Sequence, residues 1–123
     1  FRNEKIYPMP VIEIIPPKEE MFDYKNKYNG RTREICPANF DSETSRKIQN
    51  MAVLAHKVLG LSHYSRSDFI VSEDETRPGI YILETNTLPG FTSQSLFPRS
   101  SEAIGLSFPN LLDHLANLAL KRA

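Results

Sequence analysis

The run His63-Tyr64-Ser65-Arg66-Ser67-Asp68-Phe69-Ile70-Val71-Ser72 and the run Gly79-Ile80-Tyr81-Ile82-Leu83-Glu84-Thr85 stand on either side of the polar stretch Glu73 to Pro78. Both are rich in β-branched and aromatic residues, the pattern of an antiparallel hairpin with a longish turn. A turn centred near Thr76 sets Asp68 opposite Glu84 and Arg66 opposite Asn86. All four share parity, so side-chain alternation places them on one face of the sheet. Two carboxylates directly opposite each other repel, which costs stability unless something compensates. A hard divalent cation compensates: Mg²⁺ commonly takes one or two carboxylates together with substrate phosphates, and Asn86 can add a neutral oxygen. Arg66, beside them, suits a phosphate or a developing oxyanion. The competing reading is a surface hairpin whose charges are merely solvated.

The rest of the chain frames this hairpin. Lys5 to Ile15 reads as a strand stopped by Pro16-Pro17, with Pro8 and Pro10 confining its first half to an edge or an irregular entry. Lys18 to Asn39 is a long polar connection, the kind that is usually a functional or a disordered loop. Asp41 or Ser42 caps a helix that ends at Gly60, and Ile48, Met51, Ala52, Ala55, Val58 and Leu59 make its apolar stripe. Asn86 to Ser95 is loop, turned at Pro89-Gly90. Pro98 to Ile104 is a short helix closed by Gly105. Ser107 caps a last helix carrying Leu111, Leu112, Leu115, Leu118, Ala119 and Leu120. The fold class expected is α+β, a mainly antiparallel sheet packed against helices, in one domain.

Bulk properties exclude several classes of function. Of 123 residues, 40% are hydrophobic and 24% charged, which is ordinary for a soluble globular chain. Fifteen basic residues balance fifteen acidic ones, so no global field draws the chain to nucleic acid or to an anionic membrane. The single Cys36 excludes an internal disulfide and fits a reducing compartment. With no signal-like start and no apolar run of spanning length, the expected location is the cytoplasm. Phe1 is not an initiator methionine, and a strand-like run begins almost at once, so the sequence reads as a piece of a longer protein.

Glu84-Thr85-Asn86-Thr87-Leu88-Pro89-Gly90-Phe91-Thr92-Ser93-Gln94-Ser95-Leu96 closely resembles the E-x-N-T-x-P-G-x-T-x-x-S segment of D-alanine–D-alanine ligases, which are ATP-grasp enzymes. Arg66-Ser67-Asp68 resembles their R-x-D strand, and Phe22-Asp23-Tyr24-Lys25-Asn26-Lys27-Tyr28 their Y-D-Y-x-x-K-Y loop. Pro10-Val11-Ile12-Glu13-Ile14 resembles the strand before that loop. A lone E-x-N is weak, because many ATP-grasp enzymes carry one; three motifs in order along nearly the whole chain are specific. The resemblance implies that residues 1–123 are the C-terminal part of the ATP-grasp catalytic domain, with the N-terminal substrate domain and the central ATP-clamping subdomain outside it.

The resemblance also implies roles. Asp68, Glu84 and Asn86 hold two Mg²⁺ or Mn²⁺ ions against the phosphates of ATP, Glu84 bridging. Arg66 and the backbone N–H of Gly90 stabilise the tetrahedral intermediate formed when a second D-alanine attacks a D-alanyl phosphate. Ser95 and Leu96 bind the carboxylate of that second D-alanine; by itself, Ser95 could equally be a helix cap. Lys27 reaches the γ-phosphate and Tyr28 orders the closing loop. Ile70 and Leu83 contact adenine, although simple alternation puts them on opposite faces, leaving one of the two for the core. Phe22 departs from the family's tyrosine and removes a hydroxyl. The whole protein is expected to be a homodimer, and residues 1–123 alone to be inactive. His56, His63 and His114 match no ligand spacing and read as structural or surface residues; Cys36 reads as a buried or incidental thiol. The alternatives are a D-alanine–D-lactate ligase, which the Lys27-Tyr28 pair disfavours, another ATP-grasp carboxylate–amine ligase, a non-catalytic binding module that keeps the motif face, and a purely structural domain, which leaves Pro89-Gly90 and Ser95 unexplained.

Overall fold

The structure, a computed structural model, describes residues 5–16 and 33–122. The element order there is β1 (Glu13–Ile15), β2 (Arg33–Ile35), α1 (Ser42–Val58), β3 (Arg66–Ser72), β4 (Gly79–Asn86), α2 (Leu96–Ala103) and α3 (Phe108–Arg122). The strands form two antiparallel ribbons, β1 with β2 and β3 with β4, and α1 packs against both strands of the second. The expected α+β class with antiparallel pairing is what the fold shows.

The strand expected from Lys5 to Ile15 is reduced to Glu13–Ile15. Pro8 and Pro10 offer no N–H to a ladder. The carbonyls of this stretch are used singly instead: Met9 O accepts from Gln49 Nε2 at 2.9 Å, Pro10 O from Ser100 Oγ at 2.6 Å, and Val11 O from the Ala38 N–H at 2.7 Å. The entry segment is thus stitched to α1, to α2 and to the chain after β2 rather than to a sheet. Strand β2 was not anticipated; at three residues it is too short for a periodicity to register.

Helix α1 begins where the sequence places it. Asp41 Oδ1 accepts from the Thr44 N–H at 2.8 Å, and hydrogen bonding from the Thr44 side chain and then its N–H holds the Asp41 carboxyl below its ordinary pKa. It ends at Val58, with Leu59 as its C-cap and Gly60 at φ +66, a left-handed conformation that glycine adopts without steric cost. Ile48 is its buried apolar residue, whereas Val58 and Leu59, assigned to the same stripe, are exposed. His56 is buried instead, with Nδ1 2.8 Å from Ser65 Oγ, and burial pushes its pKa down. That is the structural histidine expected.

The strand expected from His63 starts at Arg66, because His63 has φ +67 and the Tyr64 N–H turns back to Ser62 O at 2.8 Å. Helix α2 starts at Leu96, two residues before the expected Pro98. Pro98 therefore falls in the first turn, where its missing N–H has no helical partner to lose. Ser107 Oγ accepts from the Asn110 N–H at 3.3 Å at the start of α3, and Leu111 is fully buried. Among the described residues no helix is long and apolar enough to cross a membrane.

Candidate active site

Strand β3 pairs with β4 in two registers separated by a bulge. Arg66 lies opposite Asn86, Ser67 opposite Thr85, and Asp68 opposite Glu84. Beyond that point Phe69 pairs with Ile82, Ile70 with Tyr81, Val71 with Ile80, and Ser72 with Gly79, leaving Leu83 as the extra residue. A turn centred on Thr76 is right for the first three pairs and one residue out for the last four. At the tip, Asp74 Oδ1 accepts from the Thr76 N–H at 2.9 Å and from its hydroxyl at 2.7 Å, and the Arg77 N–H donates to Asp74 O at 3.1 Å. This Asx-type turn closes the hairpin. The two bonds from Thr76, its N–H first and then its hydroxyl, lower the Asp74 pKa.

The four residues at the open end of the ribbon share a face and touch one another. Arg66 Nε donates to Asp68 Oδ1 at 2.8 Å and Nη2 to Oδ2 at 3.1 Å, a two-pronged ion pair about one-third exposed on each side. Asn86 Nδ2 donates to Asp68 Oδ2 at 3.3 Å and to Glu84 Oε1 at 3.2 Å. One amide nitrogen therefore lies within hydrogen-bond reach of both carboxylates, so the acids point to the same side and sit close together. On the opposite face Ser67 Oγ and Thr85 Oγ1 lie 2.9 Å apart, closing the ribbon with a cross-strand hydroxyl pair.

The chemistry of this donor set suits a hard divalent cation. Two carboxylates and an amide oxygen are hard oxygen donors, and no group of three or more His, Cys, Asp or Glu able to hold a metal occurs among the described residues. Mg²⁺ commonly takes one or two carboxylates together with water and phosphate oxygens, a need that three protein oxygen donors could meet.

The loop after β4 brings a second group to this end of the ribbon. Ser95 occupies the N-cap position of α2 but makes no side-chain cap bond. Its hydroxyl turns back into the loop, accepting from the Thr92 N–H at 2.9 Å and lying 2.7 Å from Thr92 Oγ1. A Cβ on residue 90 would come within 3.2 Å of Ser95 Oγ, so glycine there lets the hydroxyl approach the backbone. Leu96 is the first residue of α2. The capping alternative for Ser95 is therefore met by position and not by its side chain.

Phe91 anchors the loop. Its ring lies 5.3 Å from Tyr64, 5.8 Å from Phe97 and 5.9 Å from Phe108, centroid to centroid. Contacts of this kind each add about 0.5–1.5 kcal/mol beyond the area they bury. They tie the segment before β3, α2 and α3 to the residue that follows Gly90. The sequence reading did not single out this cluster, although four aromatics close to loop and helix starts were the available signal.

Ile70 and Leu83 correct the expectation that one of them is core: they are 50% and 60% exposed. The bulge at Leu83 breaks the alternation on which that expectation stood. Lys27 and Tyr28 lie outside the described residues, as does Phe22. Cys36 is half-buried, Sγ donating weakly to Arg99 O at 3.9 Å, and burial pushes its pKa up, which disfavours the thiolate.

Solved proteins that share this arrangement of ribbons and helices include ligases of the ATP-grasp class, and the fold is of that class. The D-alanine–D-alanine ligase of Bacillus anthracis complexed with ATP aligns with a TM-score of 0.73 at 28% identity, over 92% of this chain and 34% of that one. The VanG D-Ala:D-Ser ligase of Enterococcus faecalis aligns with a TM-score of 0.71 at 39% identity, over 89% and 31% respectively. The D-alanine–D-alanine ligase of Syntrophobacter fumaroxidans is 48% identical over 121 residues, 97% of this chain and 38% of that protein. The chain belongs to the family described as D-ala D-ala ligase C-terminus, which matches residues 1–117. It thus spans less than two-fifths of the length of these relatives.

Proposed function

We propose that this chain is the C-terminal catalytic part of an ATP-dependent D-alanine–D-alanine ligase serving peptidoglycan precursor synthesis. The observation that carries the reading is the cross-strand pair Asp68 and Glu84, joined through Asn86 Nδ2 and adjoining the Pro89-Gly90 loop that ends at Ser95.

In this reading ATP and D-alanine are the substrates, and the carboxylate of the first D-alanine attacks the γ-phosphorus to give an acyl phosphate and ADP. Asp68, Glu84 and Asn86 hold Mg²⁺ or Mn²⁺, which when bound offsets the charge of the triphosphate and orients its terminal group. Ile70 and Leu83 offer apolar surface to the adenine, and Lys27 and Tyr28 belong to the loop that covers the nucleotide. The amine of the second D-alanine attacks the acyl carbon and expels phosphate. Arg66 and the Gly90 N–H donate to the oxyanion that forms at that carbon. Ser95, with Leu96, receives the carboxylate of the second D-alanine.

The remainder of the whole protein supplies the other wall of the nucleotide site and the pocket for the first D-alanine, and the whole protein is a cytoplasmic homodimer. Residues 1–123 by themselves are inactive in this reading; tight ATP binding to them in a calorimetric titration would contradict it.

The test is product formation by the full-length protein with ATP and D-alanine, using D-serine and D-lactate as competing second substrates. D-alanyl-D-alanine is the expected main product, and Glu84→Gln lowers its rate by roughly three orders of magnitude. Near-normal turnover by that variant removes Glu84 from the cation site, and preferred use of D-serine or D-lactate reassigns the second substrate.

A further inference from the structure

Both oxygens of the Asp68 carboxylate are occupied, and by the very group assigned to the oxyanion. The guanidinium of Arg66 closes on them at 2.8 and 3.1 Å, while Asn86 Nδ2 spans from Asp68 to Glu84. Positive charge and N–H donors thus stand where two opposed carboxylates need them. A planar fork locked on one carboxylate aims its Nε and Nη2 donors at that carboxylate. The Nε–H and the one Nη2–H so engaged cannot reach a substrate oxygen at the same time, and only the remaining three N–H groups of the guanidinium face elsewhere. Nor can Asn86 offer Oδ1 to a cation while its Nδ2 faces both acids; its amide must turn over.

We propose that Arg66 is the resident counter-ion of Asp68, given up when Asp68 takes a divalent cation, so that the two donors now held on Asp68 are freed for the reacting oxygen in the cation-loaded state. The proposal rests on the reading of Asp68, Glu84 and Asn86 as the residues that hold the cation. The pair is about one-third exposed on each side, so solvent and a dissolved cation can reach the Asp68 carboxylate without the ribbon opening. Arg66 is then a competitor of the cation as well as a donor to the substrate, and the two roles alternate. Lysine at this position keeps the charge but not the fork, which separates the field of the residue from its geometry.

The experiment titrates Mn²⁺ alone, without nucleotide, into the full-length protein, reading free Mn²⁺ by electron paramagnetic resonance. Arg66→Met is expected to bind Mn²⁺ about five-fold more tightly than the parent, and Arg66→Lys by a smaller factor. Equal or weaker binding by Arg66→Met overturns the proposal, as does Arg66→Lys binding no more tightly than the parent. Glu84→Gln is the control on the underlying reading. If it binds like the parent, the cation assignment itself fails; if it loses binding while Arg66→Met gains nothing, only the counter-ion role fails. A second measurement needs no substitution: the ¹⁵N signal of Arg66 Nε–H in the parent moves to the position of a free arginine as diamagnetic Mg²⁺ saturates the site. A signal that stays put through saturation shows that the fork is not released, and the proposal falls.

Discussion

On one side of the β3–β4 ribbon, Val71 and Ile80 line a cleft with Met51 of α1; on the other, Arg66, Asp68, Glu84 and Asn86 satisfy one another in partial contact with solvent. The inner side follows the ordinary logic of burial, in which removing apolar area from water stabilises the fold. The outer side does the opposite. It sets two like charges across an antiparallel pair, a placement that costs stability by itself. Residues that oppose stability and are then compensated locally are the kind a working face is expected to carry. The contrast predicts that stability and activity separate cleanly between the two faces.

The largest effect expected is on activity from the outer face with no loss of stability. Glu84→Gln, besides abolishing most turnover, should leave the unfolding free energy of the nucleotide-free protein unchanged or raise it by up to about 0.5 kcal/mol, since it removes the repulsion with Asp68. Denaturant unfolding decides this, and a protein melting well below the parent would merge the two faces into one. Ile80→Ala is the mirror experiment. It should cost about 2 kcal/mol, at the low end for an aliphatic truncation because Ile80 is only half-buried. Turnover per folded molecule should stay near that of the parent.

A smaller effect belongs to the loop. Ser95→Ala should raise the Michaelis constant for the second D-alanine about ten-fold while changing kcat less, as expected when one hydrogen bond to a charged group is lost. An unchanged Michaelis constant removes Ser95 from the substrate site and leaves it as the partner of Thr92.

The smallest effect is a pH dependence from beneath the ribbon. Burial lowers the pKa of His56 in the folded state, so below the ordinary histidine value of about 6.5 the unfolded chain binds a proton that the folded chain refuses. Stability from this source is complete above that pH and declines as pH falls through the interval down to the folded pKa. His56→Asn should flatten this part of the stability profile. A slope identical in parent and variant as pH falls below about 6.5 would place the titration elsewhere.

Much of the site was legible because it rests on local rules. Parity within β3 and a turn position good to one residue were enough to bring Asp68 and Glu84 together. The symmetric hairpin nevertheless reached the right pairs through two departures that cancel: the tip is centred half a residue earlier than Thr76, and the bulge at Leu83 restores the count. Nothing about Leu83 announces a bulge, since an ordinary strand former stands there rather than a glycine. That is why the Ile70 and Leu83 assignment was the one that parity misled. The helix ends were legible from Asp41, Gly60 and Gly105, whose chemistry is local. The course of residues 5–12 was not, because its hydrogen bonds go to Gln49, Ala38 and Ser100, partners far along the chain that no local pattern names.

The bulge has a consequence for how such a hairpin can vary. A single unmatched residue on one strand bends that strand and steepens its local twist. The segment toward the tip and the segment toward the loop therefore act like the handle and bowl of a spoon, set at an angle to each other. The handle can be lengthened, shortened or re-surfaced at Glu73 to Pro78 without re-aiming the bowl, whose alignment is fixed on its own side of the bend by the Ser67–Thr85 hydroxyl pair and by Asn86.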